Sequence, residues 1–138
     1  MLARVVKRLS FLLVAIFVLL VASDAYSAGL PDGIKVTVIA EYPSRLPDLE
    51  KMRLVKVVLQ PGAAFENIVV ENDEYCRLEQ GRLTRINHDT GATDVYTTGS
   101  LWAPQKGERH TVTNTGELDA IMWAYQLLAK GEANGIKM

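Results

Sequence analysis

Three observations make this chain an all-β protein. Short runs rich in β-branched and aromatic residues recur at close spacing between Ile34 and Leu128. Within them apolar and polar side chains alternate with the period of a strand that buries one face. Between them stand the Gly, Pro, Asn and Asp residues that turn a chain. Many short strands in a domain of this size leave two arrangements open, an immunoglobulin-like sandwich or a jelly-roll barrel, and periodicity alone does not separate them.

Ahead of the strands, Arg4, Lys7 and Arg8 form a positive start, "LSFLLVAIFVLLVA" is an uncharged apolar run, and "SDAYSA" is polar with small residues. That order is the pattern of a secretory signal peptide. The apolar run is shorter than the roughly 18 to 20 residues that cross a bilayer, which favours a cleaved leader over an anchor. Residues 1–28 are therefore assigned to the signal, with cleavage after Ala25 or after Ser27, and residues 29–138 to one domain. The expected address is exported, periplasmic or secreted, with no stable membrane insertion once the leader is gone.

Loss of residues 1–28 removes Arg4, Lys7, Arg8 and Asp24 and moves the formal charge from -1 to about -3. No basic run survives, so a nucleic-acid partner is not expected. Cys76 is the only cysteine, which rules out an intramolecular disulfide even in an oxidising compartment. Stability must come from packing, and a domain of about 110 residues buries about two thirds of its unfolded surface, enough for one core.

The elements follow in order. "GLPDG" is a breaker cluster that opens the folded part. In "GIKVTVIAEY", Ile34, Val36, Val38 and Ala40 share one side of an extended chain, with Lys35, Thr37 and Glu41 on the other. "YPSRLPDLE" holds two prolines and reads as an irregular connection. Strands are then expected in "MRLVKVVL", "ENIVVE", "YCRLE", "RLTRIN", "TDVYTT", "ERHTVTN" and "DAIMWAYQLL". "INHDTGATDV" reads as a hairpin turned by Asp89 and Gly91, and "KGEANGIKM" as a frayed tail.

Two spaced patterns decide the architecture. Gly62, Ile68, Val70, Glu74 and Gly81 fill G-x5-I-x-V-x3-E-x6-G, and "GSLWAPQKGERHTVTN" carries Gly99, Pro104, Gly107, His110 and Asn114 in series. The first resembles motif 1 of the cupin superfamily with isoleucine and valine at both histidine positions. The second resembles cupin motif 2 with one extra residue between Pro104 and Gly107. Together they cover the chain from about Arg53 to Leu128.

Similarity to cupins implies a jelly-roll β-barrel with an internal pocket, often assembled as a homodimer. It also implies a divalent metal held by the two histidines and the glutamate of motif 1 and the histidine of motif 2. Carried over residue by residue, only Glu74 and His110 remain as metal ligands, with Cys76, Glu66 or Asn72 as conceivable third donors. Residues at i and i+2 of a strand point the same way, so Ile68 and Val70 are expected to turn the histidine positions into an apolar wall. Catalytic zinc takes three protein ligands and non-haem iron commonly three, so two fall short and no metal cofactor is expected.

Among single residues, Glu74 and His110 are expected to pair with each other inside the barrel and to be the polar contacts of any ligand. Cys76 reads as a small buried hydrophobe rather than a nucleophile, His88 as a solvated turn residue, and Arg77 and Glu79 as facing solvent or a partner subunit. Trp102 and Trp123 read as core or pocket wall, or as a platform for a sugar or an aromatic ligand. No Ser-His-acid set, glycine-rich phosphate loop or electron-transfer motif is present. The favoured function is an exported, metal-free module that binds a small organic molecule at Glu74, His110, Ile68, Val70, Cys76, Trp102 and Trp123. The alternatives are a cupin-type metalloenzyme of isomerase or oxygenase class with an altered ligand set, and a dimerising accessory protein without a ligand.

Overall fold

A computed structural model describes residues 29–131. The expected signal peptide at residues 1–28, and residues 132–138 of the frayed tail expected over residues 130–138, fall outside the described residues. Within them the chain is all-β, with nine strands: β1 Ile34–Pro43, β2 Leu49–Leu59, β3 Ala64–Val69, β4 Asp73–Gln80, β5 Arg82–Asn87, β6 Thr93–Thr97, β7 Leu101–Trp102, β8 Arg109–Asn114 and β9 Ala120–Ala129. They form a five-stranded sheet in the order β1-β2-β9-β4-β7 and a four-stranded sheet in the order β3-β8-β5-β6. Every strand pair is antiparallel.

Each expected strand forms, and "RLTRIN" coincides with β5 from end to end. Two boundaries differ from expectation. Pro43 continues β1, which it can do because β1 is an edge strand and no neighbour needs a donor from that nitrogen. Leu101 and Trp102 form a strand too short to announce itself by alternation, paired to Arg77 and Cys76.

The inner faces meet in one core. Val55, Val57 and Leu59 of β2, Cys76 and Leu78 of β4, and Ala120 and Ala124 of β9 pack against Phe65, Leu83 and Val112 of the smaller sheet. Burial of a large apolar side chain stabilises by about 1.5–3 kcal/mol, so this cluster supplies the main driving force in a domain without a disulfide.

Bulges and turns set the register. Phe65 pairs with Val112, but Ile68 pairs with His110, so one extra residue sits between them in β3. Asn67 takes a φ of 51° there, and its N–H donates to Thr111 Oγ1 at 3.0 Å. The bulge resets parity, which lets Phe65 and Ile68 both face inward although they are three positions apart. The β5–β6 turn is built on Asn87, whose Oδ1 accepts from the N–H groups of Asp89 and Thr90 at 2.9 and 3.0 Å.

Candidate functional site

The two motif segments come together at one end of the barrel. Val70 N–H donates to the carbonyl of Glu108 at 2.9 Å, and Gly107 N–H donates back to the carbonyl of Val70 at 2.8 Å. Two residues along the same strand pair, Ile68 lies directly opposite His110. Between the sheets is a cavity of about 70 Å³. The larger sheet gives it Val55, Val57, Cys76, Met122 and Ala124, and the smaller sheet and its loops give Phe65, Ile68, Val70, Pro104 and Val112. Its polar groups are few: Glu71, Asn72, Glu74, His110 and Gln126.

Strand parity explains most of these placements. Glu74 and Cys76 share a face of β4, and Cys76 Sγ lies 3.7 Å from Glu74 Oε1, the thiol donating to the carboxyl. Gln126, the register partner of Glu74 on β9, donates through Nε2 to Glu74 Oε2 at 3.2 Å. Burial pushes the Glu74 carboxyl above the usual value of 4.5, and the hydrogen bonds from Gln126 and Cys76 only partly offset it. Burial also pushes the Cys76 thiol well above 9.0, and the charge and hydrogen bond of Glu74 add to that rise. At neutral pH Cys76 is a protonated thiol and a poor nucleophile.

His110 is 4% exposed. Its Nδ1 lies 3.0 Å from Glu108 Oε1, and the same carboxylate oxygen accepts from Arg85 Nη1 at 2.9 Å. Arg85 reaches on through Nη2 to Asp94 at 2.8 Å and lies over the Tyr96 ring at 5.9 Å. Burial lowers the His110 pKa from 6.5; Glu108 opposes the change, and the positive field of Arg85 and of His88 reinforces it. The ring is therefore neutral at pH 7.

The sequence expectations divide. Ile68 and Val70 do line the cavity, together with Glu74, Cys76, His110 and Trp102. Trp102 is backed by Tyr96 in a parallel stack with centroids 4.1 Å apart. Cys76 is buried as expected, and His88 is exposed at the β5–β6 turn, 2.9 Å from Thr111 Oγ1. Arg77 and Glu79 face outward.

Three expectations are corrected. Glu74 and His110 do not bond to each other: Gln126 and Cys76 satisfy the first and Glu108 the second. Trp123 is on the outer face of β9, where its Nε1 donates to Glu79 Oε2 and Lys56 Nζ sits 5.5 Å from its ring. Size is a poor guide to burial here, because β9 turns the smaller Met122, Ala124 and Gln126 inward and the larger Trp123 and Tyr125 outward. Glu66 is exposed in the β3 bulge and takes no part in the site, whereas Asn72 does line it.

Arg85, Glu108 and Gln126 are not singled out by the sequence. Glu108 has a signal, since it stands two residues before His110 and so shares its face. Asn114, the last residue of the second motif, is structural: Nδ2 donates to the carbonyls of Leu59 and Leu118, both at 2.8 Å, and Oδ1 accepts from Gly116 N–H at 2.9 Å.

The residues present do not fit the divalent metal of the family pattern. Among the described residues no three or more His, Cys, Asp and Glu side chains are grouped to hold an ion. Both Glu74 oxygens are already engaged as acceptors, and Ile68 and Val70 offer hydrocarbon at the histidine positions.

No family model matches the sequence, and no curated protein matches it. Solved structures do match the fold. A cupin 2 conserved barrel domain protein from Salinispora arenicola aligns with TM-score 0.56 at 19% identity, covering 70% of this chain and 77% of its own. A cupin domain from Bordetella pertussis aligns with TM-score 0.56 at 18% identity over 70% and 95% of the two chains. The polyketide cyclase RemF from Streptomyces resistomycificus aligns with TM-score 0.60 at 11% identity over 78% and 73%. With its two antiparallel sheets and both motif segments meeting at one cavity, this chain has the cupin fold.

Proposed function

We propose that the protein is an exported cupin-fold module that binds a small organic molecule in its barrel without a metal. The observation that carries this reading is Asn72. Its side chain is buried at 5% exposure, lines the cavity, and leaves Oδ1 with no hydrogen-bond partner. A buried acceptor in that state is costly by about 1–3 kcal/mol, and a donor brought by a ligand would remove the cost. An apolar chamber with a few polar atoms at one end is the usual form of a small-molecule site.

Volume limits the ligand. An enclosed apolar cavity of about 150 Å³ holds benzene, so about 70 Å³ accepts only a small molecule or the inserted end of a larger one. The metalloenzyme reading needs a third protein ligand that the described residues do not group beside Glu74 and His110. The test is a thermal-shift screen of chelator-treated protein against small heterocycles, alcohols and short acids. A ligand specific for the native state at a hundred times its Kd stabilises by about 2.7 kcal/mol. Shifts abolished in Asn72→Leu support the proposal, whereas shifts that require added zinc or iron overturn it in favour of the enzyme.

A further inference from the structure

We infer that Glu108 is a positioning residue: braced by Arg85, it holds His110 in the Nδ1–H tautomer, so the cavity meets its ligand with a bare Nε2 and selects molecules that bring an N–H or O–H donor to that point. This rests on the reading of the cavity as a binding site and narrows its ligand class.

The tautomer follows from the partners of one oxygen. Glu108 Oε1 accepts from Arg85 Nη1 at 2.9 Å, and a carboxylate paired with a guanidinium is an acceptor only. Nδ1 of His110, 3.0 Å from the same oxygen, must then carry the proton. A neutral ring has one proton, so Nε2 is left with its lone pair. Glu108 itself is not among the cavity-lining residues, while His110 is, which places the bonded edge of the ring toward the wall and leaves Nε2 as the nitrogen available to a ligand.

The brace is hard to displace. Arg85 is the register partner of both Val112 and Asp94, and its guanidinium spans from Asp94 Oδ2 at 2.8 Å to Glu108. The Glu108 backbone is tied to Val70 across the motif junction. Turning the His110 ring over would break the Glu108 bond and aim a bare nitrogen at a carboxylate. Around the ring, the other charged or titratable groups are Arg85 of β5, Glu108 just before β8, His88 beyond β5, and Glu71, Glu74 and Cys76 around the cavity.

The tautomer is measured directly by long-range proton–nitrogen NMR at pH 8, in the His88→Gln variant that leaves a single imidazole. Nδ1 is expected to show the protonated-type resonance and Nε2 the bare type; the reverse assignment overturns the inference. In Glu108→Ala both tautomers should appear, and an unchanged spectrum means Glu108 does not position the ring. The spectrum with Glu108 intact decides the tautomer even if Glu108→Ala fails to fold. Selectivity is read by NMR titration with pyrrole, which brings one N–H donor, and furan, the same ring without one. Pyrrole is expected to bind at least tenfold more tightly. Equal binding keeps the cavity as a binding site and sinks the donor preference, while binding of neither, with the expected tautomer in place, sinks the cavity reading and leaves only the role of Glu108.

Discussion

The backbone of Val70 is hydrogen-bonded in both directions to the Gly107–Glu108 peptide, donating to the Glu108 carbonyl at 2.9 Å and accepting from Gly107 N–H at 2.8 Å. This pair of bonds joins the two motif segments at the cavity. It makes the position of Glu108, and through it the His110 ring, depend on where β3 ends. A side chain that looks like inert wall at position 70 thus lies on the frame that holds the polar end of the site.

Gly81 predicts the first measurable consequence. Its φ is +98°, and a Cβ added there would stand 2.8 Å from Ala120 Cα, a backbone atom. Gly91 has a φ of +74° with nothing within 4 Å. Gly91→Ala should lose about 1 kcal/mol from the left-handed backbone alone. Gly81→Ala should lose clearly more, since the β4–β5 turn must move away from β9 as well. Urea denaturation of both variants checks the ranking; equal losses would mean that the close approach to Ala120 is not present in solution.

Glu74 predicts a pH signature. Burial holds its folded-state pKa above 4.5, so the stability gained from the protonated carboxyl is complete below that value and is lost as pH rises through the folded pKa. Glutamine mimics the protonated form at every pH. Glu74→Gln should match the wild type near pH 4 and exceed it at pH 7, by about 1.4 kcal/mol for every tenfold difference in proton affinity between the folded and unfolded carboxyl. A stability difference that stays flat from pH 4 to pH 7 would show that the carboxyl does not feel its burial.

Much of this was legible in the sequence because a strand with one wet face writes its burial as alternation. Ile34, Val36 and Val38, or His110, Val112 and Asn114, show their inner face directly. Legibility failed where the inner face is not the apolar one. β5 turns Leu83, Arg85 and Asn87 inward, so Arg85 reads as solvent-facing until Glu108 and Asp94 are seen to receive it. It failed again where partners come from distant strands: nothing near Glu74 in sequence points to Gln126, which is 52 positions away.

Cys76 should resist modification. The thiol is 2% exposed and its pKa is raised well above 9.0 by burial and by Glu74, so both access and thiolate are scarce. Labelling at pH 8 with a disulfide reagent should be slow in the native protein and faster by orders of magnitude in urea. A ligand seated in the cavity should slow it further. Rapid native labelling would place Cys76 outside the core.

The export proposed above predicts where the mature chain begins. The positive start, the apolar run and the small residues before "GLPDG" put the mature N-terminus between Tyr26 and Gly29. Terminal sequencing of secreted material checks this. Protein recovered from membranes and still starting at Met1 would replace export with anchoring.

The last prediction rebuilds the part of the family pattern that this chain lacks. Ile68 is the register partner of His110, and Ile68, Val70, Glu74 and His110 all border one cavity. Ile68→His with Val70→His would therefore bring three imidazoles and a carboxyl to one place. The double variant should bind transition metal more tightly than the natural protein does. Only His110 has a carboxylate behind its ring to orient it; without such support for the new histidines the affinity should fall about tenfold to a hundredfold short of an evolved site. Release of Glu74 from Gln126 and Cys76 is a further cost, and a metal cation would draw its carboxyl into the ionised form that burial now disfavours. The apo variant should be less stable than the natural protein, because imidazole nitrogens replace hydrocarbon in the wall, and bound metal should restore that loss. Calorimetric titration of both proteins with zinc is the deciding measurement. Tight binding by the natural protein would mean that ligands other than these four already assemble a site, and binding by neither would mean that the side chains at positions 68 and 70 cannot converge on Glu74 and His110.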